Sequence, residues 1–168
     1  QIGVLGAGRS AGYLIEYLGA YCQSRGKTLK VYDQQFDRLK GSFTVMDSTE
    51  LCEANLGDAA ALDAVISGLQ LVVSVLPPFM HIEVAKACLK HGCHLFTASY
   101  TSNEMRSLGE AAEAKGLLFM NELGLDPGID HLSASRLFEE AHRQTFVIES
   151  FESHCGGLVA MEDCGENP

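Results

Sequence analysis

The first residues with an evident chemical use form a glycine turn near the start of the chain. Residues 6–11 match the pattern G-x-G-x-x-G/A, with Gly6, Gly8 and Ala11 at its three small positions. The first glycine permits a tight turn, the second lets the backbone approach a pyrophosphate, and the third small residue lets a helix pack on a strand. The start of that helix would offer free N–H groups and a positive dipole end to the phosphates. The pattern therefore predicts that NAD or NADP is bound by Gly6, Ala7, Gly8, Arg9, Ser10 and Ala11.

An acidic residue further along the chain bears on the choice of cofactor. Asp33 ends an apolar run and lies 21 residues after Gly12 (33 − 12), close to the ~20 expected for the residue that bonds the ribose 2′-hydroxyl. A carboxylate at this place repels a 2′-phosphate, so the sequence favours NAD, although Arg38 is near enough to favour NADP instead. The alternative is that Asp33 is simply a solvated strand end. Leu76 and Pro77 end a later apolar run and are expected to line the dinucleotide, or to be no more than a strand stop.

The pattern of strands and helices indicates how these residues are positioned. Apolar runs alternate with amphipathic stretches, which is typical of an α/β fold with a Rossmann-like, doubly wound, mostly parallel sheet. We expect strands at 2–5, 29–33, 71–76, 94–98 and 117–120, helices at 13–21, 59–66, 82–91 and 103–115, and a possible helix at 36–39 in an otherwise unassigned segment, 34–51.

The pattern changes after residue 130. A helix at 131–141 is followed by an alternating strand at 146–153, and little apolar pattern remains beyond it. The sequence therefore predicts a dinucleotide-binding domain over 1–130. Residues 131–168 are expected to begin a second, α+β domain for substrate binding and dimerisation, whose remainder is absent from this chain.

Two further loops are expected at the edge of the sheet that bears the glycine turn. Ser99 and Tyr100 follow one predicted strand, and residues 123–126 follow the next. Ligands of doubly wound sheets bind outside the carboxyl ends of the strands. Glycines at 124 and 128 permit close backbone approach to a ligand, and Pro127 restricts the loop's direction. The alternative is a plain Gly/Pro turn in which Asp130 caps the next helix.

Composition argues against several other classes of protein. The formal net charge is −10, whereas binding to a phosphate backbone needs clustered Lys and Arg, so no nucleic-acid partner is expected. The six cysteines include no CxxC pair, which favours reduced thiols over a disulfide framework, and no second cysteine pair completes a set of metal ligands beside Cys88, Cys93 and His94. No apolar run approaches the ~20 residues of a membrane span, and the first residues lack the pattern of a signal peptide. We expect no metal, no membrane association and a cytoplasmic location.

Three segments together resemble the glutamate-forming saccharopine dehydrogenases, also called saccharopine reductases. They are Thr97-Ala98-Ser99-Tyr100, the run NELGLDPGIDH at 121–131, and Cys155-Gly156-Gly157-Leu158. The resemblance covers nearly the whole chain, and the run at 121–131 is its most specific part. It implies that Ser99, Tyr100 and Asp126 contact saccharopine. It also implies that Leu123, Gly124 and Leu125 approach the cofactor.

The resemblance also implies the reaction. Saccharopine, NAD(P)+ and water would give glutamate and 2-aminoadipate 6-semialdehyde by oxidation of a secondary amine, a step of lysine metabolism. We hypothesise two catalytic residues: Asp126 binds or deprotonates the substrate ammonium, and the Tyr100 hydroxyl fixes a carboxylate or the developing amine. Saccharopine carries three carboxylates, yet this chain has 12 Lys and Arg against 22 Asp and Glu. The anchoring arginines are therefore expected in the missing domain, so that this chain alone binds dinucleotide but turns over little.

The sequence is also compatible with two other functions. Enzymes of carboxynorspermidine or homospermidine synthesis share the architecture and act on a different amine. A non-catalytic dinucleotide-sensing module is the alternative from another class, although such a module needs only the glycine turn. A homodimer formed through the missing domain is also expected, with a small amino acid as the substrate.

Overall fold

The computed structural model describes residues 1–8, 11–36 and 44–154. Over these residues the chain forms a sheet of six parallel strands: β1 (Ile2–Leu5), β2 (Leu29–Asp33), β3 (Thr49–Glu53), β4 (Leu71–Ser74), β5 (His94–Thr97) and β6 (Phe119–Met120). The helices are α1 (Gly12–Ser24), α2 (Ala59–Ile66), α3 (His81–His91), α4 (Asn103–Ser107), α5 (Gly109–Ala114) and α6 (Ile129–Arg143), with a 3₁₀ turn at Pro78–Met80.

The strand order is β3-β2-β1-β4-β5-β6, so the chain reverses its direction of winding between β1 and β4. Ligands of doubly wound sheets bind in the crevice at such a switch point, outside the carboxyl ends of the strands. Because the strands are parallel, the loops that follow β1, β4, β5 and β6 all leave the sheet at one edge. The Rossmann-like fold expected from the sequence is confirmed.

The central strand is buried on both faces, as its continuous apolar sequence requires. Val4 and Leu5 are adjacent and fully buried, and they point to opposite faces because side chains alternate along a strand. Val4 packs in a cluster with Ile15 of α1, whereas Leu5 packs in the cluster that includes Ile66 and Val84, on α2 and α3. Full burial of a Val or Leu side chain stabilises a fold by about 1.5–3 kcal/mol. The helices are therefore held on both faces by apolar contact with the sheet.

Most of the expected elements are present, with shifted ends. Strand β4 ends at Ser74 rather than 76, and β6 is shorter than expected. The single helix expected at 103–115 is two helices, which divide at Leu108 just before Gly109, a residue with low helix propensity. The possible helix at 36–39 falls largely on residues outside the described part of the chain.

Two elements differ in kind from the expectation. Strand β3 has no counterpart among the expected strands, because Glu50 and Glu53 interrupt its apolar pattern, as is common in a strand at the edge of a sheet. The strand expected at 146–153 is wrong, because these residues form no ladder in the described structure. Alternation alone does not make a strand, since the backbone groups need a neighbouring strand as partner. Phe146 and Val147 are exposed, and Phe151 contacts Phe138 of α6 edge-to-face at 5.0 Å between ring centroids.

Within the described ranges, no helix is both long enough and apolar enough to cross a membrane.

Candidate functional site

The glycine turn connects the end of β1 to the start of α1. Gly6 has a φ of +99°, and a Cβ placed on it would lie 3.2 Å from the carbonyl carbon and oxygen of Val75, so the fold itself requires glycine there. Gly8 is different, because its φ is not positive and a Cβ on it would meet nothing within 4 Å among the described residues. The described part of the fold therefore gives no reason for glycine at position 8. A ligand that approaches the backbone closely does give one.

The start of α1 fits an anion. Ala11 takes the N-cap position, where Ser, Thr, Asp or Asn is usual, and no described side chain caps the helix. No acidic residue lies in the first turn. Free N–H groups and the positive dipole end of α1 are thus available to a pyrophosphate. Ala11 and Ala7 are buried, in keeping with the close packing of this turn, while Arg9 and Ser10 lie outside the described residues.

Asp33 at the end of β2 lies directly against this turn. Its Oδ2 accepts a hydrogen bond from the Ala7 N–H at 2.5 Å, and its Oδ1 accepts one from the Gln35 N–H at 3.1 Å. The carboxylate is therefore held beside the glycine turn, where the ribose of a dinucleotide would be recognised. Leu76 also lies at this edge, with its Cδ2 at 3.3 Å from the position of a Cβ on Gly6.

A cavity of about 640 Å³ opens next to Gln34, the residue that follows Asp33. It is bordered by residues that follow three strands of the sheet, and it continues between α2 and α3. Gln34 follows β2, Leu56 follows β3 and Phe79 follows β4. Gln34 donates to the side chain of Asn55 at 2.7 Å, which fixes the cavity wall. The largely apolar cavity beside the carboxylate suits the adenine end of a dinucleotide.

The loops after β5 and β6 bring two of the predicted substrate residues together. The Tyr100 hydroxyl donates a hydrogen bond to Asp126 Oδ1 at 2.7 Å. Tyr100 is exposed, so this pair faces solvent at the ligand-bearing edge. A phenol and a carboxylate in contact can bind an ammonium group or exchange a proton with it.

Glu122 joins these two loops, a role that no local pattern in the sequence indicates. Its Oε1 accepts hydrogen bonds from the N–H and the Oγ1 of Thr101, both at 3.0 Å. The two bonds lower the pKa of Glu122, with the backbone N–H of Thr101 as the largest cause. The N–H of Glu122 in turn donates to the Ser99 carbonyl at 3.1 Å. The segment that carries Tyr100 is thus fastened to the segment that carries Asp126.

Two glycines shape the loop after β6. The Gly124 N–H donates to the Pro127 carbonyl at 2.9 Å, and the loop closes on itself. A Cβ on Gly128 would lie 2.2 Å from the Gly124 oxygen, so no other residue fits there without displacing the loop. Gly128 is the N-cap of α6, which corrects the alternative that Asp130 caps it. Asp130 lies in the first turn, and its side chain accepts the Gly128 N–H at 2.7 Å.

His81 was also missed by sequence reasoning. It begins α3 and is buried, with its Nδ1 at 3.0 Å from Ser74 Oγ and its Nε2 at 3.0 Å from Ser99 Oγ. Burial lowers the pKa of His81, so the ring is neutral near pH 7. A cavity of about 270 Å³ adjoins His81, Thr97 and Tyr100. The only sequence signal was a histidine that follows a strand by a few residues, which is too common to indicate a site.

Other chemical groups lie outside this arrangement. Burial raises the pKa of the Cys88 and Cys93 thiols, which makes them unreactive. In the part of the chain that the structure describes, no three His, Cys, Asp or Glu side chains are grouped to hold a metal ion. Leu123 and Leu125 are exposed on the loop after β6, and their contacts with a cofactor remain a prediction.

The structure has a doubly wound parallel sheet, a glycine turn that leads into a helix capped by no described side chain, and an acid at the end of β2. Together these features define a Rossmann-type dinucleotide-binding protein. Comparison with known families makes this more specific. Residues 2–120 match the family model for the saccharopine dehydrogenase NADP binding domain, and residues 124–168 match the model for the saccharopine dehydrogenase C-terminal domain. The chain belongs to the saccharopine dehydrogenase family.

Individual relatives agree with this assignment. Over 98% of its length the chain is 37% identical to saccharopine dehydrogenase (NADP(+), L-glutamate-forming) of Schizosaccharomyces pombe, of which it covers 36%. Over 98% of its length it is also 33% identical to the mitochondrial alpha-aminoadipic semialdehyde synthase of Rattus norvegicus, of which it covers 17%. An apo saccharopine dehydrogenase (L-Glu forming) from Saccharomyces cerevisiae superimposes with a TM-score of 0.71 at 30% identity, covering 84% of this chain and 31% of that one. The chain therefore spans about a third or less of the length of these relatives.

Proposed function

We propose that the protein containing this chain is an NAD(P)-dependent oxidoreductase that cleaves saccharopine at its secondary amine. Saccharopine, NAD(P)+ and water give glutamate and 2-aminoadipate 6-semialdehyde, a reaction of lysine metabolism. The observation that carries the proposal is the hydrogen bond from Tyr100 to Asp126 at the edge that bears the glycine turn. The printed names of the relatives, as dehydrogenases of saccharopine, support the choice of substrate.

The cofactor is assigned to the glycine turn and the start of α1. Space above Gly8 and the uncapped N–H groups receive the pyrophosphate, Asp33 receives the ribose, and the neighbouring cavity receives the adenine. The nicotinamide, when bound, accepts the hydride in saccharopine oxidation. The chain's own contribution is to orient the substrate and to move its protons.

The substrate amine is assigned to the loops after β5 and β6. Asp126 takes the proton of the ammonium group or pairs with its charge, and Tyr100 holds Asp126 in place and contacts the same substrate. Ser99 contacts the substrate from the adjoining position on its loop. Glu122 holds the two loops together by accepting hydrogen bonds from Thr101.

The choice between NAD and NADP depends on Asp33. The family model and the yeast relatives are named for NADP, whereas the position of the Asp33 carboxylate beside the turn favours an unphosphorylated ribose. We propose that the protein accepts both and binds NAD more tightly. Dissociation constants for the two cofactors test this, and tighter binding of NADP would overturn it.

The substitution Asp126→Asn tests the whole proposal. We expect the unmutated full-length protein to oxidise saccharopine with NAD or NADP. We expect Asp126→Asn to lower kcat about 100-fold or more, the range of general acid–base catalysis, while the Kd for the dinucleotide stays unchanged. Carboxynorspermidine-type amines serve as the comparison substrates. Turnover of those amines without turnover of saccharopine would show that the substrate is a different amine. Turnover by Asp126→Asn at the rate of the unmutated protein would show that Asp126 is not catalytic.

Three further expectations belong to the same proposal. The remainder of the parent protein supplies the arginines that anchor the three carboxylates, so this chain alone binds dinucleotide but oxidises saccharopine little. The division near residue 130 separates a cofactor domain from a substrate domain. The parent protein forms a cytoplasmic homodimer, which light scattering and cell fractionation would test.

A further inference from the structure

A short chain of buried polar groups lies beneath the loop that carries Ser99. Ser74 ends β4, His81 begins α3 and Ser99 follows β5, so three separate elements supply its members. Ser74 is fully buried and His81 is 4% exposed, while Ser99 is partly exposed at the site. Both ring nitrogens of His81 are engaged, each at 3.0 Å from a serine oxygen. The polar chain therefore leads from the interior of the sheet to the substrate loop.

The direction of the two hydrogen bonds follows from the burial of Ser74. A buried hydroxyl without an acceptor for its proton is strongly unfavourable, so buried polar groups are almost always paired. Among the described residues, His81 Nδ1 is the hydrogen-bond partner of Ser74 Oγ. Ser74 must therefore donate its proton to Nδ1, which makes Nδ1 an acceptor.

The state of the ring then fixes the second bond. Burial keeps His81 neutral, and a neutral imidazole carries one proton. With Nδ1 as acceptor, that proton is on Nε2, and the Nε2–H group donates to Ser99 Oγ. A hydroxyl that accepts from a histidine keeps its own proton for another partner. Ser99 thus presents an O–H donor toward the site.

We propose that His81 is a positioning residue that sets Ser99 as a hydrogen-bond donor to a carboxylate of the substrate. This inference rests on the proposed function, which supplies a substrate with three carboxylates. A carboxylate only accepts hydrogen bonds, so it fits a Ser99 hydroxyl that donates. An ammonium group only donates, so it would need a Ser99 oxygen that accepts. His81 acts only through Ser99 and does not touch the substrate.

The protonation state of His81 can be observed directly. In the full-length protein labelled with ¹⁵N-histidine, a long-range ¹H–¹⁵N correlation spectrum distinguishes the two neutral forms, and the His81 signal is assigned by its loss in a His81 variant. We expect Nε2 to carry the proton near pH 7. A proton on Nδ1 would overturn the proposal, whether or not saccharopine is the substrate. This measurement needs no turnover, so it is independent of the proposed function.

Two substitutions of His81 test the contacts of its two ring nitrogens separately. The amide of glutamine reaches the place of Nε2, so His81→Gln can still donate to Ser99. The amide of asparagine reaches only the place of Nδ1, so His81→Asn keeps an acceptor for Ser74 and loses Ser99. We expect His81→Asn to raise KM for saccharopine about 10-fold, the effect of one oriented hydrogen bond, and His81→Gln to stay within about 3-fold of the parent. Dinucleotide Kd and Tm measured on both variants report any general damage to the fold.

The Ser99→Ala variant completes the test. If His81 acts through Ser99, then His81→Asn has no further effect on KM in the Ser99→Ala background. A 10-fold rise in KM caused by His81→Asn both in the parent and in Ser99→Ala would show that His81 does not act through Ser99. An equal rise in KM in His81→Gln and His81→Asn would show the same. Absence of saccharopine turnover in the unmutated protein would instead refute the proposed function and leave the spectrum to decide the state of His81.

Discussion

The substitution Gly8→Ala separates the needs of the fold from the needs of the cofactor. A Cβ at this position meets no described atom within 4 Å, and the backbone is not in the left-handed region. Replacement of glycine by alanine at such a compatible position stabilises a protein by about 0.4–1 kcal/mol through the unfolded chain. We therefore expect Tm to stay the same or rise slightly.

The same methyl group should weaken dinucleotide binding strongly. In the proposed binding mode it occupies the space through which the pyrophosphate would approach the turn, and a hydrogen bond lengthened to about 3.6 Å is effectively lost. One lost bond to a charged group costs about 1.5–3 kcal/mol, which raises Kd about 10- to 150-fold. Titration calorimetry with NAD and NADP on this chain measures the change.

Gly116→Ala is the matched control for this prediction. A Cβ on Gly116 also meets nothing within 4 Å, but its φ is +66° and it precedes β6 at the opposite edge of the sheet. Strain at a left-handed position should lower stability by about 1–2 kcal/mol without any effect on Kd. Unchanged dinucleotide affinity in Gly8→Ala, or a loss of stability there as large as in Gly116→Ala, would refute the reasoning.

Three other predictions concern the remaining parts of the site. Gly128→Ala should lower saccharopine turnover at least about 10-fold, because its Cβ would lie 2.2 Å from the Gly124 oxygen and displace the loop. Gly92→Ala, which is also left-handed but lies in open space, is the control and should keep turnover. The pKa of His81 is lowered by burial, so the unfolded chain binds the proton more readily, and the free energy of unfolding should fall as pH drops below about 6.5. Urea unfolding at several pH values measures this dependence, and the free energy of unfolding should change less with pH in His81→Gln than in the parent. An identical dependence on pH in both proteins would contradict the lowered pKa of His81. Asp33→Asn removes the charge that opposes a 2′-phosphate, so the ratio of NADP to NAD affinity should rise about 10-fold, and a constant ratio would show that Asp33 does not select the cofactor.

The sequence was sufficient for those features that a local pattern determines. Gly6 was recognisable because a strand and a helix flank it at the required spacing, and the burial of Val4 and Leu5 follows from an apolar run in a parallel sheet. The edge strand β3 was not recognisable, because the exposed residues Glu50 and Glu53 interrupt the alternation of apolar and polar residues along it. The predicted strand at 146–153 failed for the opposite reason: its alternation is clear, but no partner strand is present among the described residues.

The candidate site required information that no local pattern contains. The contact of Tyr100 with Asp126 joins residues 26 positions apart and depends on β5 and β6 being neighbours. His81 is linked to Ser99 across 18 positions, and nothing in its own neighbourhood distinguishes it from an ordinary core histidine. Long-range pairs of this kind follow from the topology of the sheet rather than from the composition of a segment.

The run at 121–131 is specific because its backbone leaves little freedom at several positions. Glu122 has a φ of +62°, which is strained for a side chain with a Cβ, and it is held there while its carboxylate accepts two hydrogen bonds from Thr101. Gly124 and Gly128 approach each other so closely that a Cβ on Gly128 would overlap the backbone. A substitution at Glu122, Gly124 or Gly128 is therefore expected to move the Asp126 carboxylate away from Tyr100.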